Sequence, residues 1–305
     1  MAGGGDSTRA ILFALGANFA IAIAKGVAAY FTKSGAMLAE TVHSLADCGN
    51  QLLLLLGVKQ SRQPPTPEYP LGYGKATYFW SFLVAIMLFT VGGMYSLYEG
   101  WHKLHSHEAL QVDKLWWAVA VLVFAIAAES VSMRACMQEV NKSRGSRTLW
   151  QWFRQSRQAE LVVIFGEDLA ALLGLVFALI AVLLTIFTGN PLFDALGTLA
   201  IGVLLIVIAV LVGVEVKAML IGQSVDPIRL AQMHQFLEAR PEIAKVISVV
   251  TLQLGEKAMV SVQAQLSDDS VPTMVDAINT IERQFKAAFP ELQWSFFEPD
   301  IKAGV

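Results

Sequence analysis

Six apolar runs, each long enough to cross a bilayer, alternate with short polar segments over the first two thirds of the chain. They cover Ala10–Phe31, Gly35–Val58, Thr77–Gly100, Leu115–Met137, Ala159–Thr188 and Phe193–Val216. A span needs about 20 mostly apolar residues, so the pattern predicts six transmembrane helices, the fifth long enough to project beyond the lipid. After Lys217 the periodicity changes. Ile228–Leu237 reads as a helix and Ala244–Leu254 as a Val- and Ile-rich strand. Gly255-Glu256-Lys257 reads as a turn, and the alternating MVSVQAQL as a second strand. Val271–Phe289 has helical amphipathicity, with Pro272 near its start and Pro290 past its end, and Leu292–Phe297 reads as a last strand. The predicted architecture is an α-helical membrane protein. Residues 1–222 form a six-helix transmembrane domain, and residues 223–305 a small αββαβ, ferredoxin-like two-layer α+β domain. A domain that small buries a limited core, so packing against a second copy, as a homodimer, is expected.

Composition agrees. Apolar residues make up 55% of the chain and charged residues 15%, against about a quarter charged in soluble domains; mean hydropathy is +0.54. The net charge of −3 says nothing about nucleic acid, and no basic tract supports that partner, so none is expected. Cys48 and Cys136 both fall in predicted spans, so no disulfide framework or paired-cysteine metal site is legible. Arg9, Lys59, Arg62, Lys75, Arg134, Lys142, Arg144, Arg147, Arg154, Arg157 and Lys217 lie on one side of the predicted membrane, against Lys33, Lys103 and Lys114 on the other. The positive-inside rule then puts both termini and the C-terminal domain in the cytoplasm. The opening MAGGGDSTR has no Ala-x-Ala cleavage site and no Arg- and Ser-rich amphipathic stretch. The expected location is therefore a bacterial inner membrane, in contact with lipid.

Ionisable residues inside two of the spans carry the chemistry. His43 and Asp47 lie one helical turn apart, and with Glu40 and Asn50 they cover an arc of about 80° on one helix face. Glu167 and Asp168 interrupt the fifth run; as neighbours they lie about 100° apart and flank a common edge. Charged groups at membrane depth are costly and face a protein interior or an aqueous path. One imidazole with carboxylates suits a divalent ion such as Zn²⁺, Mn²⁺, Fe²⁺ or Co²⁺, and the absence of thiolates argues against Cu⁺. The ligand set expected is His43, Asp47, Glu167 and Asp168, supported by Glu40, Asn50 and Lys25. For Asn50 alone, interhelical hydrogen bonding is the plainer role. Lys25 calls for an acidic partner, and Glu167 or Asp168 could supply it. Metal and protons compete for such ligands, so metal–proton antiport follows as an expectation, with protons as counter-ion. A membrane metal sensor or scaffold, or a passive channel, is the alternative. No catalytic residue or resident cofactor is expected: Ser44 and His43, adjacent on a helix, diverge, and no His-Glu-x-x-His motif occurs.

Several motifs in order carry a resemblance. HSLAD in the second span, PLGYGKATYFWSF leading into the third, SLYEG at its end and EDLAALLG in the fifth resemble the cation diffusion facilitator family over nearly the whole chain. The resemblance implies dimeric exporters of Zn²⁺ or related ions, usually against a proton gradient. It also implies a site between the second and fifth helices and alternating access by helix rocking. His43 and Asp47 match the family's second-helix pair, and Asp168 its fifth-helix aspartate. The family's His-x-x-x-Asp would put an imidazole at position 164, where this chain has Ile164; Glu167 is expected to replace it, a Glu-Asp version similar to the zinc-transporter-nine-like branch. His234 is the only histidine after the last span, so no zinc cluster is expected there.

Weaker signals complete the reading. His102, His105 and His107 suggest a solvated loop rather than a metal-gathering one. Trp116, Trp117 and Trp150–Phe153 suit membrane-interface anchoring. The basic RGSRTLWQWFRQSRQ either touches anionic headgroups or fixes topology.

Overall fold

A computed structural model describes residues 4–105, 115–267 and 270–301, with side chains from residue 18 onward. The helices begin with α1 (Gly4–Thr32) and α2 (Gly35–Ser61). Next, α3 (Ala76–Met87) runs without a break through a π-helical stretch, Leu88–Met94, into α4 (Tyr95–His105). Then come α5 (Leu115–Arg144), the short α6 (Leu149–Gln155), α7 (Ala159–Thr188) and α8 (Leu192–Ile221). Among the described residues four helices are long and apolar enough to cross a membrane: Ala76–His105, Leu115–Arg144, Ala159–Thr188 and Leu192–Ile221. The described apolar part of α1 is Asn18–Thr32. α2 has the length, but Glu40, His43, Asp47 and Asn50 dilute its apolar character.

The chain divides into two compact units. The first comprises Met1–Gly57, Trp80–Ser146 and Glu160–Val214. Its helices pack closely where side chains are smallest. A Cβ on Gly93 would lie 2.5 Å from Ile206 Cγ1, and one on Gly202 would lie 2.8 Å from the Leu97 backbone nitrogen. Glycine on both partners thus lets the backbones of α8 and the third apolar helix approach within contact, as small residues do in lipid. In the π-helical stretch the Tyr95 amide donates to Thr90 O, five residues back. The Thr90 hydroxyl donates to Ile86 O at 2.8 Å and the Ser96 hydroxyl to Gly92 O at 2.7 Å. This widening carries no apolar-periodicity signal, and the sequence reading had a plain helix there.

The second unit comprises Val58–Phe79, Arg147–Ala159 and Glu215–Val305. It holds α9 (Pro227–Glu238), β1 (Ile243–Leu254), β2 (Lys257–Leu266), α10 (Val271–Ala288) and β3 (Leu292–Pro299), the expected αββαβ order. The sheet order is β1-β2-β3. β1 pairs antiparallel with β2 through a tight turn (Val250 opposite Ser261). β2 pairs parallel with β3 (Val260 opposite Ser295), because α10 crosses between them. Alternation in β2 buries Ala258, Val260, Val262 and Ala264, which pack with Met233, Leu237, Ile281, Phe285 and Phe289 of the helical layer.

The same unit corrects one expectation. The Trp150–Phe153 segment is α6, capped by a Thr148–Gln151 capping box. Trp152 is fully buried and Phe153 nearly so, while Trp150 is exposed. Arg147 Nη1 reaches Asp226 Oδ2 at 2.5 Å, Arg154 Nη1 reaches Glu215 Oε1 at 2.6 Å, and Arg157 Nε donates to Ser224 O at 2.7 Å. The basic, aromatic segment is therefore held by protein carboxylates and by the burial of Trp152 and Phe153. Burial pushes the Arg157 guanidinium down from its ordinary value against the upward pull of Asp226.

Arg229 grips Glu291 through two bonds, at 2.5 and 3.0 Å. Burial alone would raise the Glu291 carboxyl, but Arg229 holds it below the ordinary 4.5. A carboxylate depressed on folding stabilises above its unfolded value and loses that contribution as pH falls through the folded one. Thermal unfolding of wild type and Arg229→Met in detergent will therefore differ at neutral pH and converge as pH falls below 4.5. Phe285→Ala removes the centre of this core and will cost about 3–5 kcal/mol, read by the same melts.

A buried ionisable site across α1, α2, α5 and α7

α2 is aimed by its first turn. Asp194, in the first turn of α8, accepts the Gly35 amide at 2.7 Å and the Ser34 hydroxyl. A carboxylate there complements the positive end of the α2 dipole. Lys33, with φ +58°, makes the reversal from α1 to α2, and the two helices meet along a charged contact. Lys25 Nζ lies 3.1 Å from Glu40 Oε2 and donates to Ser44 Oγ at 2.7 Å, all without solvent access. The acidic partner of Lys25 is thus Glu40, not Glu167 or Asp168. The other Glu40 oxygen presses on α7, where a Cβ at Gly174 would fall 2.6 Å from Oε1.

One turn further along α2 lies His43, 0% exposed. Neither ring nitrogen has a hydrogen-bond partner. Nδ1 is 3.6 Å from Asp47 Oδ1, an oxygen that is itself unpartnered. Gly92 of the π-helical stretch abuts the ring, since a Cβ there would sit 3.9 Å from Nδ1. Asn50, at the end of this arc, donates from Nδ2 to Glu167 Oε1 at 2.6 Å, which is the interhelical role anticipated for it.

On α7 the two acidic neighbours diverge as their 100° separation requires. Glu167 is buried against α2, whereas Asp168 turns toward α5, where Ser132 Oγ lies 3.3 Å from each of its oxygens. Ile164 is exposed, whereas Glu167 is buried. Asp47 acts electrostatically on both Glu167 and Asp168, which puts the acidic groups of α2 and α7 in one field. Among the described residues no three His, Cys, Asp or Glu side chains converge closely enough to enclose an ion.

Ser132 and Glu129 of α5 belong to the same neighbourhood and were not singled out in the sequence. Asp47 acts on Glu129 electrostatically, and Glu129 on Asp168. The signal was present: Glu129 interrupts the apolar run AIAAESVSM just as Asp47 and Glu167 interrupt theirs. Cys48 and Cys136 are buried free thiols. His102 and His105 stack on Tyr98 and Trp101 of α4; His107 lies outside the described residues.

Residues 11–221 match the cation efflux transmembrane domain. The chain belongs to the cation efflux, or cation diffusion facilitator, family. With four helices of membrane-crossing length and composition, this family member is an integral membrane protein. It is 35% identical over 228 residues to the proton-coupled zinc antiporter SLC30A9, mitochondrial, of Xenopus laevis, covering 74% of this chain and 40% of that protein. It is 29% identical over 233 residues to metal tolerance protein C4 of Arabidopsis thaliana, 76% of this chain and 50% of that one. It is 24% identical over 265 residues to zinc transporter ZitB of Escherichia coli K12, 86% and 78%. The chain thus spans half or less of the Xenopus and Arabidopsis relatives.

Removing one partner of a fully buried ion pair strands the other charge. Lys25→Met will destabilise the protein by about 3–5 kcal/mol, read as a lowered thermal midpoint in detergent. The double variant Lys25→Met/Glu40→Gln will recover most of the loss.

Proposed function

We propose that the chain transports a divalent cation, Zn²⁺ foremost, across the membrane in exchange for protons, through a site formed by His43, Asp47, Glu167 and Asp168. The observation that carries this reading is His43. A fully buried imidazole with neither nitrogen bonded, beside an unpartnered carboxylate oxygen, leaves polar groups unsatisfied at about 1–3 kcal/mol each. Such exceptions call for an explanation, and a visiting cation supplies one. Neutral imidazole and ionised carboxylates bind metal, and protons displace it, which couples the two fluxes.

The residues around the ligands divide the remaining work. The Lys25–Glu40 pair fixes α1 against the ligand-bearing face of α2. Asn50 orients Glu167, the residue that stands in for the histidine absent at Ile164. Asp168, directed at Ser132, reaches the other ligands when α5, α7 and α2 shift relative to one another, as alternating access requires. Six helices within residues 1–222 form the transport unit, and residues 223–305 a cytoplasmic domain through which two copies pair. The excess of Lys and Arg in alternate loops supports cytoplasmic termini. The names of the Xenopus and Escherichia coli relatives support zinc as cargo, and that of the Xenopus relative supports proton coupling.

Reconstitution of the full chain in proteoliposomes tests this. A pH gradient will drive zinc uptake, and Asp47→Ala or Asp168→Ala will reduce it to the level of empty vesicles. Glu167→Gln will raise the zinc concentration for half-maximal uptake about tenfold, equivalent to 1.4 kcal/mol. Flux indifferent to the gradient would make the protein a channel, and binding without flux a sensor.

A further inference from the structure

α5 contributes a carboxylate that the four-ligand reading leaves unused. Glu129 lies in the middle of this membrane-length helix, three residues before Ser132. That spacing puts both side chains on one helix face. Ser132 is in contact with both oxygens of Asp168 at 3.3 Å, so Glu129 stands one turn from the Asp168 carboxylate. Its charge is felt by Asp168, and it feels that of Asp47.

No cation is paired with it by contact among the described residues. Among the described residues Glu129 forms no salt bridge, and Lys25 is committed to Glu40 and Ser44. Among the described residues Asp47, Glu129, Glu167 and Asp168 therefore share one field with no Lys or Arg in salt-bridge contact, Lys25 acting on Asp47 and Glu129 only across space. An unpaired carboxylate at membrane depth persists where it serves an ion. The cluster also borders the buried, doubly unpartnered imidazole of His43, 3.6 Å from Asp47, so a missing electrophile is indicated from a second, independent side.

We infer that Glu129 is itself a cation-binding residue, forming with Asp168 and Ser132 an all-oxygen staging position beside the imidazole-bearing position at His43, Asp47 and Glu167. This rests on the transport reading above. The geometry favours a hand-over. Ser132 lies at equal distances from the two Asp168 oxygens, and its single hydroxyl proton can serve only one of them fully, which leaves the other for a metal. A position built of oxygens alone suits harder ions such as Mn²⁺, whereas the neighbouring imidazole suits zinc. The staging position accordingly admits a broad range of divalent ions, and the histidine position selects among them.

Zinc and manganese uptake by proteoliposomes holding wild type, Glu129→Gln, Glu129→Asp and Asp47→Ala tests this. Glu129→Gln keeps shape and removes charge. It will raise half-saturation for zinc about tenfold with little change in maximal rate, and will reduce manganese flux more than zinc flux. Glu129→Asp will fall between it and wild type, and carries the test should the glutamine variant fail to fold. Glu129→Gln indistinguishable from wild type in half-saturation and in the zinc-to-manganese ratio, with Asp47→Ala inactive, overturns the staging role and leaves the transport reading standing. Undiminished zinc flux in Asp47→Ala overturns the site on which the transport reading rests.

Discussion

Charge placed where water cannot reach it has to be answered by another group, and the helical unit is arranged around that demand. Lys25 and Glu40 answer one another across α1 and α2, 3.1 Å apart and without solvent access. Asn50 answers Glu167, and Ser132 partly answers Asp168. Both nitrogens of His43 and one oxygen each of Asp47, Glu40 and Asn50 are left over. The surroundings explain why that remainder survives. Asp194 pins the start of α2, Glu40 ties its next turn to α1 and presses on α7, and Asn50 ties it to α7 again. A helix held at three levels can keep an unsatisfied imidazole between them without collapsing onto it.

The division of labour between the two acidic neighbours on α7 follows from helix geometry alone. Adjacent residues cannot face the same partner, so Glu167 serves the α2 contact and Asp168 the α5 contact. In the transport reading proposed above, a binding unit drawing on α2, α5 and α7 would change its ligand set by small rotations of α7, which move one carboxylate toward the centre as the other leaves. The proposed exchange of metal for protons would benefit from that arrangement, because the two occupants favour different numbers of charged oxygens.

Much of this was legible in the sequence, because lipid and strand alternation impose strong patterns. The helix limits from Gly35, Leu115 and Ala159 were readable from where apolar runs begin, and the αββαβ order from MVSVQAQL and the two flanking prolines. His43, Asp47, Glu167 and Asp168 stood out because each breaks an apolar run. Glu129 breaks one too, but it lies alone without a spaced partner, and only its neighbours in space give it meaning. α6 was misread because Trp152 has the look of an interfacial anchor, and nothing local reveals that Asp226 and Glu215 are waiting for Arg147 and Arg154. The partner of Lys25 was open for the same reason: several carboxylates were available, and packing chose Glu40.

The wide turns between Leu88 and Met94 have a consequence for how this protein can vary. Each ring closed five residues back holds one residue more than an α-helical ring, so side chains downstream are phased about 100° away from where counting from Ala76 would set them. The glycine surface that α4 offers α8 therefore depends on the backbone's local winding and not only on which amino acids are present. A single-residue insertion or deletion in this stretch would act as a gear shift, re-indexing the whole outer half of the helix against its neighbour while leaving its composition almost untouched.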